Sequence, residues 1–305
     1  MSDLLSDVLR RTALRGTVYF KADFAAPWAM AIGRRQVAAF HVLVRGRCFV
    51  RDDDGLVELQ PGDIVVYPHG DPHALLSEPD AHPVPAEDLL ATNPESGMAL
   101  GGRGDISTLI CGHFERDTRL EHPLFATLPG RIHLPARGDG DASWLATATE
   151  LAVLESGSRR AGSAAVTDRL AEVLLIQVLR LWAERLERPA GFLSALSDAG
   201  LSRALALLHQ HPENTWTVEQ LARAARMSRS HFAARFRESV GVTPIAYLAE
   251  WRMLLARRLL EEGTDSVARV AEQVGYSSEW AFSKAFKRAW GENPGAVRRR
   301  SARSG

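Results

Sequence analysis

Cysteine is scarce: the 305-residue chain has only Cys48 and Cys111. That excludes a disulfide framework as the source of stability and suits a reducing compartment. Long apolar runs are missing as well, and none approaches the roughly 20 residues of a membrane-spanning helix. The opening MSDLLSDVLRR reads as a short amphipathic helix with neither a cationic start nor a small-residue cleavage site. These absences predict a cytoplasmic protein with no membrane partner. Net charge is also absent, since 37 Lys and Arg balance 37 Asp and Glu. The balance conceals an asymmetry: residues 201–305 carry 17 basic against 10 acidic side chains, and the first 200 carry 20 against 27. A basic C-terminal third suits the phosphate backbone of nucleic acid. The length allows two domains, each with its own core.

One short pattern is present twice, 49 residues apart. The first copy is TVEQLARAARMSRSHFAARF from Thr217, and the second is SVARVAEQVGYSSEWAFSKAF from Ser266. Each reads as a short helix, a tight break and a second helix, the order of a helix-turn-helix. Thr217 and Gln220 form a capping box, and Ser228 caps the following helix. Leu221, Ala222 and Ala225 make the inward stripe, Met227 plugs the turn, and Phe232 and Phe236 face inward at i, i+4. Val270, Ala271, Val274, Tyr276, Phe282 and Phe286 repeat those parts. Gly275 supplies a left-handed turn residue in the second copy, where the first has Arg226, so the first turn is expected to be strained or differently wound. Between the copies, Thr243-Pro244 starts a helix that ends at Gly263. About 18 residues span roughly 27 Å, enough to hold two recognition helices about one DNA turn apart.

With both phenylalanine pairs inward, the first recognition helix shows Ser230, Ala233, Ala234 and Arg237, and the second shows Trp280, Ser283, Lys284 and Lys287. Arg229 and Glu279 lie at the helix starts, within reach of bases or phosphates. Trp280 either packs on a sugar or thymine methyl or closes the domain's own core. The tail VRRRSARSG reads as a frayed basic arm.

Residues from about 200 to 300 resemble the DNA-binding domain of the AraC/XylS family of bacterial transcription regulators. GYSSEWAFSKAFKRAWGENPGAVR is similar to that family's C-terminal signature, through Gly275, Tyr276, Phe282, Phe286, Lys287, Gly291 and Pro294. The resemblance implies two helix-turn-helix units on a linker helix, binding successive major grooves of double-stranded DNA as an activator or repressor. It also implies RNA polymerase as a partner.

Up to about residue 115 the chain reads as strands: GTVYFKADF, VAAFHVLV, RCFVRD, DIVVYP and ISTLICGHF, broken by Gly, Pro and Asp. PGDIVVYPHGDPH fits G-x5-P-x-G-x2-H through Gly62, Pro68, Gly70 and His73, and resembles the second motif of the cupin barrel. The first cupin motif is poorly matched: His41 stands at one ligand position, Leu43 at the second, and the Glu is missing. The resemblance implies a sensor barrel that binds a small-molecule inducer. Cys111 and His113 share one face of a strand, and His41 and His73 could approach it. Imidazole and thiolate suit a divalent metal such as zinc, whereas a buried Cys is more often simple packing.

Residues 77–105, rich in Pro, Gly and Ala, read as a lid or a mobile insertion. From about 142 the pattern turns helical, with one stretch at 144–155 and a longer helix at 163–186. The apolar surface of the longer helix is wide enough for both its own barrel and a partner in a homodimer. The expected fold is therefore α+β and multidomain. Residues 1–190 form a cupin-like antiparallel β-barrel with accessory helices, and 191–200 a linker. Residues 201–305 form an all-α domain with helix-turn-helix units at 217–238 and 266–289 and a linker helix at 244–262. The leading reading is a non-enzymatic, ligand- or metal-controlled transcription regulator. The alternative is a metal-dependent cupin enzyme fused to a DNA-binding domain.

Overall fold

The computed structural model describes residues 4–11, 15–91, 99–115, 122–136, 147–148, 151, 154–155, 160–186 and 191–304. The chain forms two compact units. One holds Leu14–Arg116 and Pro129–Leu186, and the other holds Met1–Ala13, Asp117–Leu128 and Glu187–Gly305. Two segments that precede residue 190 thus belong with the C-terminal helices.

The strands are β1 (Arg15–Ala25), β2 (Ala29–Ile32), β3 (Ala38–Arg45), β4 (Cys48–Asp52), β5 (Gly55–Leu59), β6 (Ile64–Tyr67), β7 (His73–Leu76), β8 (Val84–Pro85), β9 (Leu100–Gly101), β10 (Ile106–Glu115) and β11 (Ile132–Leu134). They make two sheets, β11-β6-β3-β10-β1-β9 and β5-β4-β7-β2-β8. The expected barrel is therefore an open sandwich. Its edges carry β8, β9 and β11, strands of two or three residues that offer too few backbone groups to carry a ladder around a closed sheet. All five strands read from the sequence are present. Phe24, Trp28, Leu43, Tyr67, Leu75 and Leu109 meet in one core cluster.

The helices are α1 (Leu4–Arg11), α2 (Ala86–Ala91), α3 (Pro123–Ala126), α4 (Ser163–Arg185), α5 (Gly191–Ser197), α6 (Ala199–Gln210), α7 (Val218–Ala224), α8 (Arg229–Val240), α9 (Pro244–Glu262), α10 (Val267–Gln273), α11 (Glu279–Trp290) and α12 (Pro294–Ser304). In the sheet unit, α4 packs on β1. Gly16 permits this approach, since a side chain there would meet Ala171. The 77–105 stretch is more regular than its composition predicts: it contains β8, α2 and β9, while 92–98 lie outside the described residues. Most of the 144–155 stretch also lies outside them.

Two expectations for the helical unit are corrected. Residues 191–200 are not a linker, because α5 lies there and buries Phe192, Leu193 and Ala195. The C-terminal tail is not a frayed arm, because α12 buries Val297. Arg298 of that helix donates to the Gly263 carbonyl, and Arg300 pairs with Glu292 at 3.1 Å. The arginine run looks solvated in sequence, yet one apolar residue and a guanidinium that caps the end of α9 are enough to dock it.

Candidate functional site

The two helix-turn-helix units are built by the same local chemistry. Thr217 Oγ1 accepts from the Gln220 N–H at 3.2 Å, while Gln220 Oε1 accepts from the Thr217 N–H at 2.8 Å. Ser228, Ser266 and Ser278 cap α8, α10 and α11 by accepting from the backbone three residues on. Each such cap is typically worth about 1 kcal/mol. Phe232 and Phe236, like Phe282 and Phe286, are fully buried. Both turns close identically: Met227 N–H donates to Ala222 O at 2.9 Å, and Tyr276 N–H to Ala271 O at 2.9 Å. That six-to-one bond needs a left-handed residue in between. Gly275 takes φ +79°, and Arg226 takes φ +57°, the one positive-φ non-glycine among the described residues. The first turn is thus wound like the second, at the cost of placing a side chain where glycine is preferred.

This packing leaves one face of each recognition helix to solvent. Ser230, Ala234 and Arg237 of α8 are exposed and Ala233 is half-buried. Arg229 is held by Glu219 at 2.7 Å. On α11, Glu279, Lys284 and Lys287 are exposed and Ser283 is half-buried. Trp280 is 73% exposed, which removes the alternative that it closes the core. The Lys284 ammonium lies 5.3 Å from its ring centroid, so cation and indole form one projecting unit. His231 is an exposed residue on α8 that the sequence reading passed over. Its place one turn before Arg235 could have flagged it. Arg235 itself pairs with Asp198 at 2.7 Å.

Linker helix α9 is anchored by a buried polar network. His122 Nδ1 accepts from the Leu124 N–H at 3.1 Å, so its Nε2 carries the proton and donates to Tyr247 Oη at 3.0 Å. The Tyr247 hydroxyl then donates to His209 Nε2 at 2.6 Å, and His209 stacks on Trp251 at 3.7 Å. Burial holds His122 neutral, with its pKa lowered to about 3. Nothing in the sequence separates His122 from a surface histidine, because its partners lie far along the chain.

In the sheet unit, β3, β7 and β10 bring His41, His73 and Cys111 together. His41 Nε2 lies 2.8 Å from His73 Nε2, and His41 Nδ1 lies 3.0 Å from Cys111 Sγ. The Asp71 carbonyl, 2.8 Å from His73 Nδ1, sets the protons: that nitrogen donates, so His41 Nε2–H donates to His73 and Cys111 S–H to His41. Tyr67 stacks on His73 at 3.7 Å. Burial lowers the pKa of His73 to about 4 and pushes His41 down and Cys111 up, so all three are neutral. His113 turns instead to Glu115, at 3.0 Å.

The four residues singled out as metal ligands therefore do not form one donor set. Two nitrogens bound tetrahedrally to zinc would stand roughly 3.3 Å apart, more than the 2.8 Å hydrogen bond between His41 and His73. Among the described residues, no group of three His, Cys, Asp or Glu is arranged to hold a metal ion. Leu43, at the position of a second cupin ligand, is a core residue. The cupin turn keeps its backbone logic without the ligands. Gly62 takes φ +92° and Gly70 φ +66°, and a side chain at Gly70 would collide with the Arg35 carbonyl.

Beside these imidazoles lies a cavity of about 230 Å³. Met30, Ile32, Val37, Ala39, Ala86 and Leu90 supply its apolar wall, and His41, Cys111, His113 and Arg35 also line it. Arg35 reaches Glu87 of α2 at 2.9 Å.

A cupin family profile matches residues 3–184, and a helix-turn-helix domain profile matches residues 221–300. Paired helix-turn-helix units behind a cupin domain define a DNA-binding transcription regulator. An AraC-like transcription regulator of Streptomyces antibioticus is 38% identical over 305 residues, covering 97% of this chain and 98% of the relative. The HTH-type transcriptional regulator AlkR of Acinetobacter baylyi is 31% identical, covering 98% of this chain and 100% of its own. Among solved structures, the DNA-binding domain of AdpA in complex with a target DNA is 36% identical over 35% of this chain and 96% of that one, with a TM-score of 0.33. The chain belongs to the AraC family of transcription regulators. No single helix among the described residues is long and apolar enough to cross a membrane.

Proposed function

We propose that this regulator is ligand-responsive, with the effector held in the sheet-unit cavity and DNA read by α8 and α11. The observation that carries this reading is the cavity itself, set inside the sandwich and walled by apolar side chains. On the DNA side, Ser230 of α8 and the Trp280–Lys284 pair of α11 are the chief readers. Arg229, Ala233, Ala234, Glu279, Ser283 and Lys287 flank them. Lys287 lies about one turn beyond Lys284 and Arg237 about two turns beyond Ser230, and both suit phosphate contacts.

The dimer interface is assigned to α4. That helix buries Ala171, Leu174, Val178 and Leu179, while Val166 and Val173 stand 46% and 37% exposed on another face. The family reading supports RNA polymerase as a partner, a cytoplasmic location and a non-enzymatic role.

The test of the DNA assignment is binding of the full chain to duplexes selected from a random pool. Lys284→Ala is expected to weaken binding by about 1–3 kcal/mol if Lys284 reads a base. A phosphate contact would instead give a loss uniform across sequences and a shallower salt slope. Unchanged affinity and unchanged salt slope would remove Lys284 from the interface.

A further inference from the structure

The cavity's lining restricts what fills it. An engineered cavity of about 150 Å³ takes benzene, so the 230 Å³ here accommodates roughly nine non-hydrogen atoms. Most of the wall is hydrocarbon, so most of the occupant must be too. Among the polar lining groups, His41 and Cys111 spend their hydrogen-bonding capacity on each other and on His73. His113 is engaged by Glu115. Burial keeps His41 neutral, so no imidazolium there calls for an anion.

Arg35 differs. Its guanidinium has five N–H donors, and the contact with Glu87 uses Nη2. Glu87 is an exposed carboxylate, its side chain 72% accessible. Exposed pairs of this kind are weak and exchangeable. Glu87 also sits on α2, whose Ala86 and Leu90 line the cavity while Leu89 is buried in the core. Arg35, the one Lys or Arg among the described lining residues, is therefore held by a replaceable anion on the helix that covers the cavity.

Resting on the effector reading above, we propose that the cavity takes a small carboxylate with a compact hydrocarbon body. The body lies against Met30, Ile32 and Leu90, and the carboxylate takes the place of Glu87 on Arg35. A carboxylate matches the guanidinium fork in a way that a neutral amide does not. Displacing Glu87 releases an ion pair between α2 and the 33–37 loop, which makes the position of α2 depend on occupancy.

The test is calorimetric titration of the full chain with cyclohexanecarboxylate and its neutral isostere cyclohexanecarboxamide, with methylcyclohexane as an apolar control. The acid should bind at least tenfold more tightly than the amide. Arg35→Gln should abolish that preference while leaving amide binding unchanged. Glu87→Gln should tighten the acid a few-fold, because the competing anion is gone, and leave the amide alone. A merely structural role for the pair would not produce opposite effects from its two partners. Leu90→Trp, which fills the cavity from its rim, should reduce binding of all three probes. Equal binding of acid and amide, indifferent to Arg35→Gln, would overturn the anionic class and leave the effector cavity standing. No binding of any probe to the wild type would overturn both.

Discussion

Acidification from about pH 7.5 to about pH 5 acts directly on His122, the imidazole that ties α3 to the linker helix. In the unfolded chain this side chain protonates near its ordinary value of 6.5, whereas burial lowers the folded value to about 3. Between those two values the unfolded state binds a proton that the folded state does not, so stability falls as the pH falls. At pH 5 the unfolded imidazole is almost fully protonated and the folded one is neutral. One and a half pH units below 6.5, at 1.36 kcal/mol per unit, gives a loss of about 2 kcal/mol relative to pH 7.5. The loss is fully developed near pH 3 and absent above about pH 7.5. Other titrating groups cancel when the wild type is compared with His122→Gln at each pH, because the glutamine amide keeps a donor toward Tyr247 and cannot titrate. The variant should be less stable at pH 7.5 by about 1 kcal/mol, since the Leu124 N–H loses its acceptor. Its pH dependence should be flatter by about 2 kcal/mol. Urea denaturation at the two pH values, read through hydrogen exchange of Pro244–Glu262, reports the stability of the helix concerned. Parallel curves for the two proteins would mean that His122 is protonated or solvated in the folded state, and the network described for it would be wrong.

The remaining predictions concern the turns and the dimer face. Arg226→Gly should stabilise the helical unit by up to about 1 kcal/mol by relieving the left-handed arginine, as read from the denaturation midpoint. Gly275→Ala should do the reverse by more than about 1 kcal/mol, because the new Cβ would sit 2.6 Å from the Glu213 carbonyl. If both substitutions were neutral, the two turns would not share one geometry. Val166→Lys with Val173→Lys should shift sedimentation toward the monomer with the fold retained by circular dichroism. An unchanged dimer would move the interface off α4.

The DNA-binding half was legible because its determinants are local. A capping box, a serine cap, a left-handed glycine and phenylalanines at i, i+4 all act within one or two turns, and two copies in register exclude coincidence. Trp280 was ambiguous for the same reason: an aromatic on a helix face is core or surface according to what packs on it, and here most of the ring is exposed. Strands β1, β3, β4, β6 and β10 were legible as apolar runs. The two-residue strands were not, because no periodicity survives at that length. His41, His73, Cys111 and His113 lie in one region, yet spacing cannot distinguish a ligand set from a hydrogen-bonded chain. That distinction rests on half an ångström and on which nitrogen faces the Asp71 carbonyl. The cavity had no sequence signature, since most of its wall is ordinary apolar side chains from β2, β3 and α2.

A linear domain boundary near residue 190 also misses how the chain is threaded. β1 and β10 are hydrogen-bonded neighbours, with Arg15 opposite Glu115. The residues just before β1 and just after β10 belong to the helical unit, where α1 packs on α6 and α9, and α3 packs on α5. β10 carries Cys111 and His113 at the cavity, and the chain beyond it reaches His122, which holds Tyr247 of the linker helix. Eight residues of chain separate His113, which lines the cavity, from His122, which contacts the linker helix. A regulator whose sensor and reader were joined only at residues 187–200 would have to signal through that one connection. In this chain the sequence also runs from β10, which lines the cavity, to His122, which bonds the helix between the two helix-turn-helix units. The chain beyond β10 meets α9 through the His122–Tyr247 hydrogen bond, and loss of that bond should weaken any effect of cavity occupancy on DNA affinity. Tyr247→Phe, which removes the hydroxyl and keeps the ring, is the substitution that checks it. DNA affinity measured with and without cyclohexanecarboxylate should then differ less than in the wild type. An undiminished difference would place the signal on another path.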